Sequence, residues 1–191
     1  MIARRIAAAG ALALAATASV PALASAAPVQ PTRALLTADE FPAGTTDYTL
    51  ENRSPSAGLP SSSESPKCSA QREDLDQRLR GITSANAVAL RRANEILVYV
   101  LDRPVTTQIA DLATHCAIPG MGVASPRAVP GDLARVRARV VTTSPDTIQG
   151  WADVRGATVS VNLFGIDGAA ADREAFWQLF RAQIAKVERQ P

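Results

Sequence analysis

The stretch Leu133-Ala-Arg-Val-Arg-Ala-Arg-Val-Val-Thr-Thr143 alternates between charged and apolar side chains over most of its length. An alternation with a period of two is typical of a β-strand that has one face against the core. On such a strand Arg135, Arg137 and Arg139 project to one face at a spacing of about 7 Å, while Ala and Val side chains take the other face. The stretch therefore predicts a strand with one apolar and one cationic face.

A second alternating stretch, 157–164, places Thr158, Ser160 and Asn162 opposite Ala, Val and Leu side chains. If both strands share one sheet, its apolar face lies under helices and its other face carries arginines and small hydrogen-bonding groups. A guanidinium binds carboxylate or phosphate through two parallel hydrogen bonds, so this face is a candidate site for an anionic ligand or partner. Trp151 is a further candidate contact. The alternative is a solvated face whose arginines pair with acidic residues across the strands.

The other patterns predict an element order of β-α-β-β-α-β-β-β-α. Further strands are predicted at 46–52, 86–91, 95–101 and 151–154, and helices at 69–80, 105–116 and 170–187. The stretch 86–91 also fits a helix. A short helical or turn segment is predicted at 33–42. Because turns link most of the strands, we expect an α+β fold, a single domain at 33–188 in which helices pack on one face of an antiparallel sheet.

The N-terminus has the features of an export signal. Arg4 and Arg5 precede an uncharged apolar run at 6–20, and a small-x-small motif ends at Ala26. This order predicts a signal peptide at 1–26 that is cleaved, and a secreted or cell-envelope location for the mature protein. A membrane anchor is the alternative, although the run is short for one. The arginine pair leaves both the general secretory and the twin-arginine routes open.

The charge balance gives no support for nucleic-acid binding. The chain has 20 Lys and Arg against 18 Asp and Glu, and Arg4 and Arg5 account for the excess. Residues 27–32 are expected to form a flexible tail. Three prolines and several serines predict a solvated loop at 53–67, inside the domain.

Cys68 and Cys116 are the two cysteines of the chain. In an oxidising compartment we expect them to form a structural disulfide. The alternatives are two unrelated buried thiols or a reactive cysteine beside His115. Neighbouring residues on a helix point about 100° apart, which disfavours His115 as a base for Cys116.

The motifs of common enzyme classes are absent from the sequence. It contains one histidine and no G-x-S-x-G, H-E-x-x-H, G-x-x-x-x-G-K or G-x-G-x-x-G pattern. We therefore expect no catalytic residues, no metal site and no cofactor. A hydrolase based on a pair of carboxylates remains an alternative.

The alanine-rich leader, the segment Leu35-Leu-Thr-Ala-Asp-Glu-Phe-Pro-Ala-Gly44 and the later cysteine pair resemble exported domains of mycobacteria and related actinobacteria. In particular, the region 33–187 is similar to the extracellular sensor domain of the PknH-type protein kinases, which also occurs in free-standing exported proteins. The resemblance implies a helix-backed antiparallel sheet with a cleft for an unidentified ligand. The chain differs in having one cysteine pair where the kinase sensor has two, and in having no kinase domain or membrane span.

Together these features lead to the hypothesis of an exported, non-catalytic, sensor-like domain of the actinobacterial cell envelope. Its ligand would be a small molecule or an envelope component, bound in a pocket between sheet and helices or on the face that carries Arg135, Arg137 and Arg139, with Trp151 as a further contact. We expect no nucleic-acid partner and no stable membrane insertion of the mature chain. The alternative is a structural or protein-interaction module that uses the arginine-lined face.

Overall fold

The computed structural model describes residues 27–51, 65–117 and 122–191. The predicted signal peptide and residues 53–64 of the predicted loop lie outside the described residues. The strands are β1 Thr45–Glu51, β2 Ser84–Arg91, β3 Asn94–Leu101, β4 Ser125–Pro126, β5 Arg139–Ser144, β6 Thr147–Val154 and β7 Ala157–Gly165. They form one seven-stranded antiparallel sheet in the order β1-β2-β3-β7-β6-β5-β4.

Four α-helices and three short 3₁₀ turns complete the described fold. The helices are α1 Pro31–Ala34, α2 Pro66–Leu79, α3 Thr106–His115 and α4 Arg173–Glu188, and the 3₁₀ turns are Ala38–Glu40, Gly131–Val136 and Ile166–Gly168. The α+β class and the antiparallel sheet are confirmed, with α1 and β4 added to the predicted order. Among the described residues, no helix is both long and apolar enough to span a membrane.

Helix α4 covers one face of the sheet with its aromatic side chains. It begins where the Asp172 carboxylate accepts a hydrogen bond from the Ala175 N–H at 3.1 Å. Phe176 and Phe180 on its inner side are fully buried. A Cβ atom at Gly150 of β6 would lie 2.7 Å from the Phe176 ring, so only glycine lets the ring lie this close to the strand. The result is a tightly packed apolar layer.

Helix α3 lies on the opposite face. Ala110 and Ala113 pack against Val141 of β5 and Trp151 of β6, whereas the next residue of β6, Ala152, belongs to the core under α4. Consecutive residues of a strand point to opposite faces, so the two helices lie on different sides. The predicted packing of helices on one face describes α4, and α3 adds partial cover to the other.

The predicted strand at 133–143 is correct only from Arg139 onward. Gly131–Val136 form a 3₁₀ turn, and Arg137 adopts a left-handed conformation with φ of 49°. Leu133 is buried and Ala134 is exposed, the reverse of the predicted strand, in which Ala134 faces the core. The alternation wrongly predicted a strand here, because the small alanine side chains would bury little apolar surface on a sheet.

Contacts with α4 favour the 3₁₀ turn over a strand. Asp132 accepts a hydrogen bond from Nε of Arg181 at 2.7 Å, and Arg135 forms an ion pair with Glu188. The hydrogen bond from Arg181 is the main cause that lowers the pKa of Asp132, and the hydrogen bond to Glu188 raises that of Arg135. The turn is thus attached to α4 at both of its ends.

The predicted flexible tail at 27–32 is part of the folded core. Val29 is only 7% exposed, and Pro31, the first residue of α1, is buried. The Gln30 N–H donates to the side-chain oxygen of Gln190 at 3.0 Å. The prediction is wrong because it considered the segment without the C-terminal helix that binds it.

The contact between this segment and α4 continues as far as the first 3₁₀ turn. The buried Gln183 side chain accepts from the Leu36 N–H at 3.0 Å and donates to the Ala34 carbonyl at 2.6 Å. Lys186 pairs with Glu40. Burial alone would raise the pKa of Glu40, but hydrogen bonds from Lys186 and the preceding threonine outweigh it and lower the pKa.

Other element boundaries differ from the prediction by a few residues. Helix α2 begins at Pro66, with the Ser65 hydroxyl accepting from the Cys68 N–H, so the predicted loop ends earlier and the helix begins three residues before the predicted position 69. The ambiguous stretch 86–91 is a strand. It pairs with β3 over the whole length of both strands, which gives its backbone the partners that a helix would otherwise supply.

Candidate functional site

Five hydrogen-bonding side chains lie on the sheet face opposite α4. They are Asn86 of β2, Tyr99 of β3, Gln149 of β6 and Ser160 and Asn162 of β7, and we call them the polar face. The register pairs Asn86 with Tyr99, Tyr99 with Ser160, and Gln149 with Asn162. Directly paired residues have Cβ atoms about 5 Å apart on the same face. The polar face is therefore one continuous patch across four neighbouring strands.

Four of the five residues of the polar face are buried although they are polar, and Tyr99 is half-buried. The exposed fractions are 1% for Asn86, 8% for Gln149, 5% for Ser160 and 6% for Asn162. The Asn162 amide donates to the Ser160 hydroxyl at 3.1 Å. The Gln149 side chain makes no hydrogen bond within the described part of the chain. This amide is not among the fully buried unpartnered atoms, so it retains some contact with solvent and is open to a hydrogen-bond partner from outside the protein.

A hydrogen-bonded network at one end of the polar face fixes the start of α3. The Asp153 carboxylate of β6 accepts from the Thr106 hydroxyl at 2.7 Å and from its N–H at 3.2 Å. The Thr158 hydroxyl of β7 donates to the same carboxylate oxygen at 2.7 Å and accepts from the Val105 N–H at 2.8 Å. Side chains of the two polar-face strands thus cap α3 and set its distance from the sheet.

The predicted disulfide between Cys68 and Cys116 is confirmed, with Cα atoms 5.6 Å apart. It joins α2 to the end of α3 beside a small apolar cluster that includes Leu75 and Leu112. The alternative of a reactive cysteine assisted by His115 is wrong. The His115 ring instead lies 2.9 Å from a backbone carbonyl one turn earlier, at the C-terminus of α3, where the helix dipole favours it.

The three predicted arginines do not share a face. Arg135 turns towards α4 and pairs with Glu188, and Arg137 lies at the left-handed end of the 3₁₀ turn. Only Arg139 is on β5, where it pairs in register with Trp151. The cationic face therefore does not form, and the protein-interaction alternative loses the surface on which it depended. Ligand binding by these arginines remains a sequence prediction.

The two tryptophans differ in burial. Trp151 is 5% exposed and packs under α3, so it contributes to the core rather than to an open surface. Trp177 is half-buried, packs against the core under α4 and lines a cavity. An adjacent glycine is a poor indicator of exposure, because Gly150 provides space for an aromatic ring on the other face.

Sequence reasoning found two of the five residues of the polar face, Ser160 and Asn162. The alternation in 157–164 placed Ser160 and Asn162 correctly on the face away from α4. It missed Gln149 because β6 was predicted to begin only at Trp151. The signal that identifies Gln149 is the alternation of 147–154, in which isoleucine, glycine and alanine face α4.

The structure defines an α+β protein with one seven-stranded antiparallel sheet and helices on both faces. No protein-family model and no curated protein sequence matches the chain.

Two solved mycobacterial structures are similar to it. One is the extracellular domain of PknH from Mycobacterium tuberculosis, with 14% identity and a TM-score of 0.49, covering 86% of this chain and 99% of that chain. The other is an uncharacterized protein of Mycobacterium smegmatis, the Rv0999 ortholog, with 17% identity and a TM-score of 0.36, covering 78% of this chain and 92% of that chain. The predicted resemblance to the PknH-type extracellular domain is confirmed.

Proposed function

We propose that this protein is an exported, non-catalytic, sensor-like domain of the actinobacterial cell envelope, and that its polar face binds a small molecule or an envelope component. One observation carries the proposal. Gln149 is 8% exposed, lies beside Asn162 in register, and its amide has no hydrogen-bond partner among the described residues. A ligand would supply that partner.

The chemistry of the polar face favours an uncharged, hydroxyl-rich ligand. Each of its amides offers both donors and an acceptor, and its hydroxyl groups can do either. Its three amides and its serine hydroxyl carry no charge. A polyhydroxylated compound, such as the carbohydrate part of an envelope component, exchanges donors and acceptors with such a surface without the cost of burying a charge.

Two features support an extracytoplasmic location. The disulfide joins residues 48 positions apart, and disulfides persist in oxidising compartments. The first 26 residues have the order of a signal peptide. Neither feature distinguishes release into the medium from retention in the envelope, and the proposal includes both.

Native mass spectrometry of the protein purified from its own culture fluid tests the polar face. The wild-type protein is expected to carry an additional non-covalent mass, and Gln149→Leu, which removes the amide at nearly constant volume, is expected to lose it. Arg137→Ala is the matched control, since Arg137 is exposed and makes no side-chain contact with the described residues. Retention of the same mass by Gln149→Leu would contradict binding at the polar face.

A further inference from the structure

A cavity lies on the side of the sheet opposite the polar face, at the N-terminal end of α4. It has a volume of about 370 Å³ and is lined by Pro126, Arg127, Ala128, Ile148, Arg173 and Trp177. Ile148 belongs to the core under α4, so this cavity is separate from the polar face. Its volume falls within the range of small-molecule sites.

The positions of the two arginines follow from the backbone. Arg173 is the first residue of α4, and Trp177 is four residues later, so both side chains lie on one side of the helix. Arg127 follows β4, and its N–H donates to the Val140 carbonyl of β5 at 2.8 Å, which fixes its backbone at the opposite wall. The lining of the cavity therefore includes two arginines, from β4–β5 and from the start of α4, and the tryptophan of α4.

The charge of this cavity is not balanced by the protein. Neither Arg127 nor Arg173 makes a side-chain hydrogen bond or ion pair with the described residues, and no carboxylate lines the cavity. Neighbouring arginines differ in this respect, because Arg91 pairs with Asp172 and Arg181 with Asp132. Another cavity, of about 580 Å³, shares Arg173 and is lined by Arg92 and Asp172 as well.

The lining indicates the class of ligand. Guanidinium groups bind phosphate through paired, charge-assisted hydrogen bonds. Trp177 and Ile148 supply the large apolar side chains of the lining, and an indole can pack against a planar ring. We propose that this cavity binds a small organic phosphate that carries a ring, with Arg127 and Arg173 on the phosphate and Trp177 against the ring.

Isothermal titration of the disulfide-bonded protein with phenyl phosphate at low ionic strength tests this proposal. Saturable binding of one equivalent is expected. Arg127→Ala and Arg173→Ala should each weaken it about tenfold or more, and Trp177→Ala should weaken it several-fold. Arg139→Ala is the matched control, because Arg139 is equally exposed, has no partner among the described residues and lies on the other face of the sheet.

Two further titrations separate the parts of the ligand. Inorganic phosphate should bind at least several-fold more weakly than phenyl phosphate, and phenol should give no saturable heat. Absence of saturable binding by phenyl phosphate would overturn the site. An equal loss of phenyl phosphate affinity in Arg139→Ala would also overturn the site, since that result indicates general attraction of the phosphate to positive charge. Equal affinity for inorganic phosphate would overturn the role of Trp177. None of these outcomes affects the polar face.

Discussion

The two faces of β7 carry different chemistry within one run of nine residues. Val159, Val161 and Leu163 face α4 and are fully buried in the apolar core. Between them Ser160 and Asn162 face the other way, equally hidden from solvent, yet they bring hydroxyl and amide groups into the interior. Burial is therefore nearly the same on both faces, and only the side-chain chemistry differs.

Because of this difference, we expect the α4 face to contribute to stability and the polar face to contribute to recognition. The α4 face is stabilised by removing apolar surface from water and has little free volume, as the close approach of Phe176 to Gly150 illustrates. The polar face gains little from the hydrophobic effect, and its groups must be hydrogen-bonded to be tolerated. Substitutions on the first face should therefore act on stability, and substitutions on the second should act on binding.

The largest effect is expected from Phe180→Ala on the α4 face. Phe180 is fully buried and stacks on Phe176 with ring centroids 5.6 Å apart. Truncation removes the transfer free energy of the ring and leaves a cavity, which should cost about 3–5 kcal/mol in chemical unfolding. Gln178→Ala, an exposed change on the same helix, should stay within about 0.5 kcal/mol. A small decrease in the free energy of unfolding of Phe180→Ala would mean that the α4 face is not the main source of stability.

The sequence predicts the α4 face well because apolar periodicity is a local property. Phe176, Phe180 and Ile184 recur at helical spacing, and the valines of β7 recur at strand spacing, so both sides of this interface are visible in the chain. The failures occur where distant residues decide the conformation. The 3₁₀ turn around Leu133 and the docked segment 27–32 depend on α4, which lies about 40 and 140 residues further along the chain.

A smaller effect is expected from removal of the disulfide on the polar-face side. The double variant Cys68→Ala, Cys116→Ala removes a cross-link between residues 48 positions apart. Its free energy of unfolding, measured with urea, should be about 2–4 kcal/mol lower. Because the bond joins α2 to α3 and does not touch α4, amide exchange should accelerate in these two helices before it does in α4.

Two outcomes would contradict this assignment. Uniform acceleration of exchange in all helices would mean that the two faces unfold as a single unit. Incorporation of two alkyl groups into the unreduced wild-type protein would show that the bond is absent.

The site is less visible in the sequence than the fold. Alternation along a strand identifies the side chains that point away from the apolar face. It does not show whether those side chains contact solvent, a helix or a ligand. The arginines of 133–139 were predicted as a site because of their charge. The side chains that share one face of the sheet are instead the uncharged Asn86, Gln149 and Asn162, which come from three separate strands. Their proximity is set by the sheet order, which no local pattern contains.

The smallest change in stability is expected from Gln149→Leu, and this substitution separates the two faces most sharply. Since the Gln149 amide has no partner among the described residues, its replacement by an apolar group of similar volume should leave stability within about 1 kcal/mol or raise it. The reciprocal change, Val161→Thr under α4, buries a hydroxyl in an apolar layer and should cost about 1–3 kcal/mol. Urea unfolding of both variants measures the contrast. A loss in Gln149→Leu as large as that in Val161→Thr would show that the protein itself satisfies this amide and that the polar face is part of the structural core.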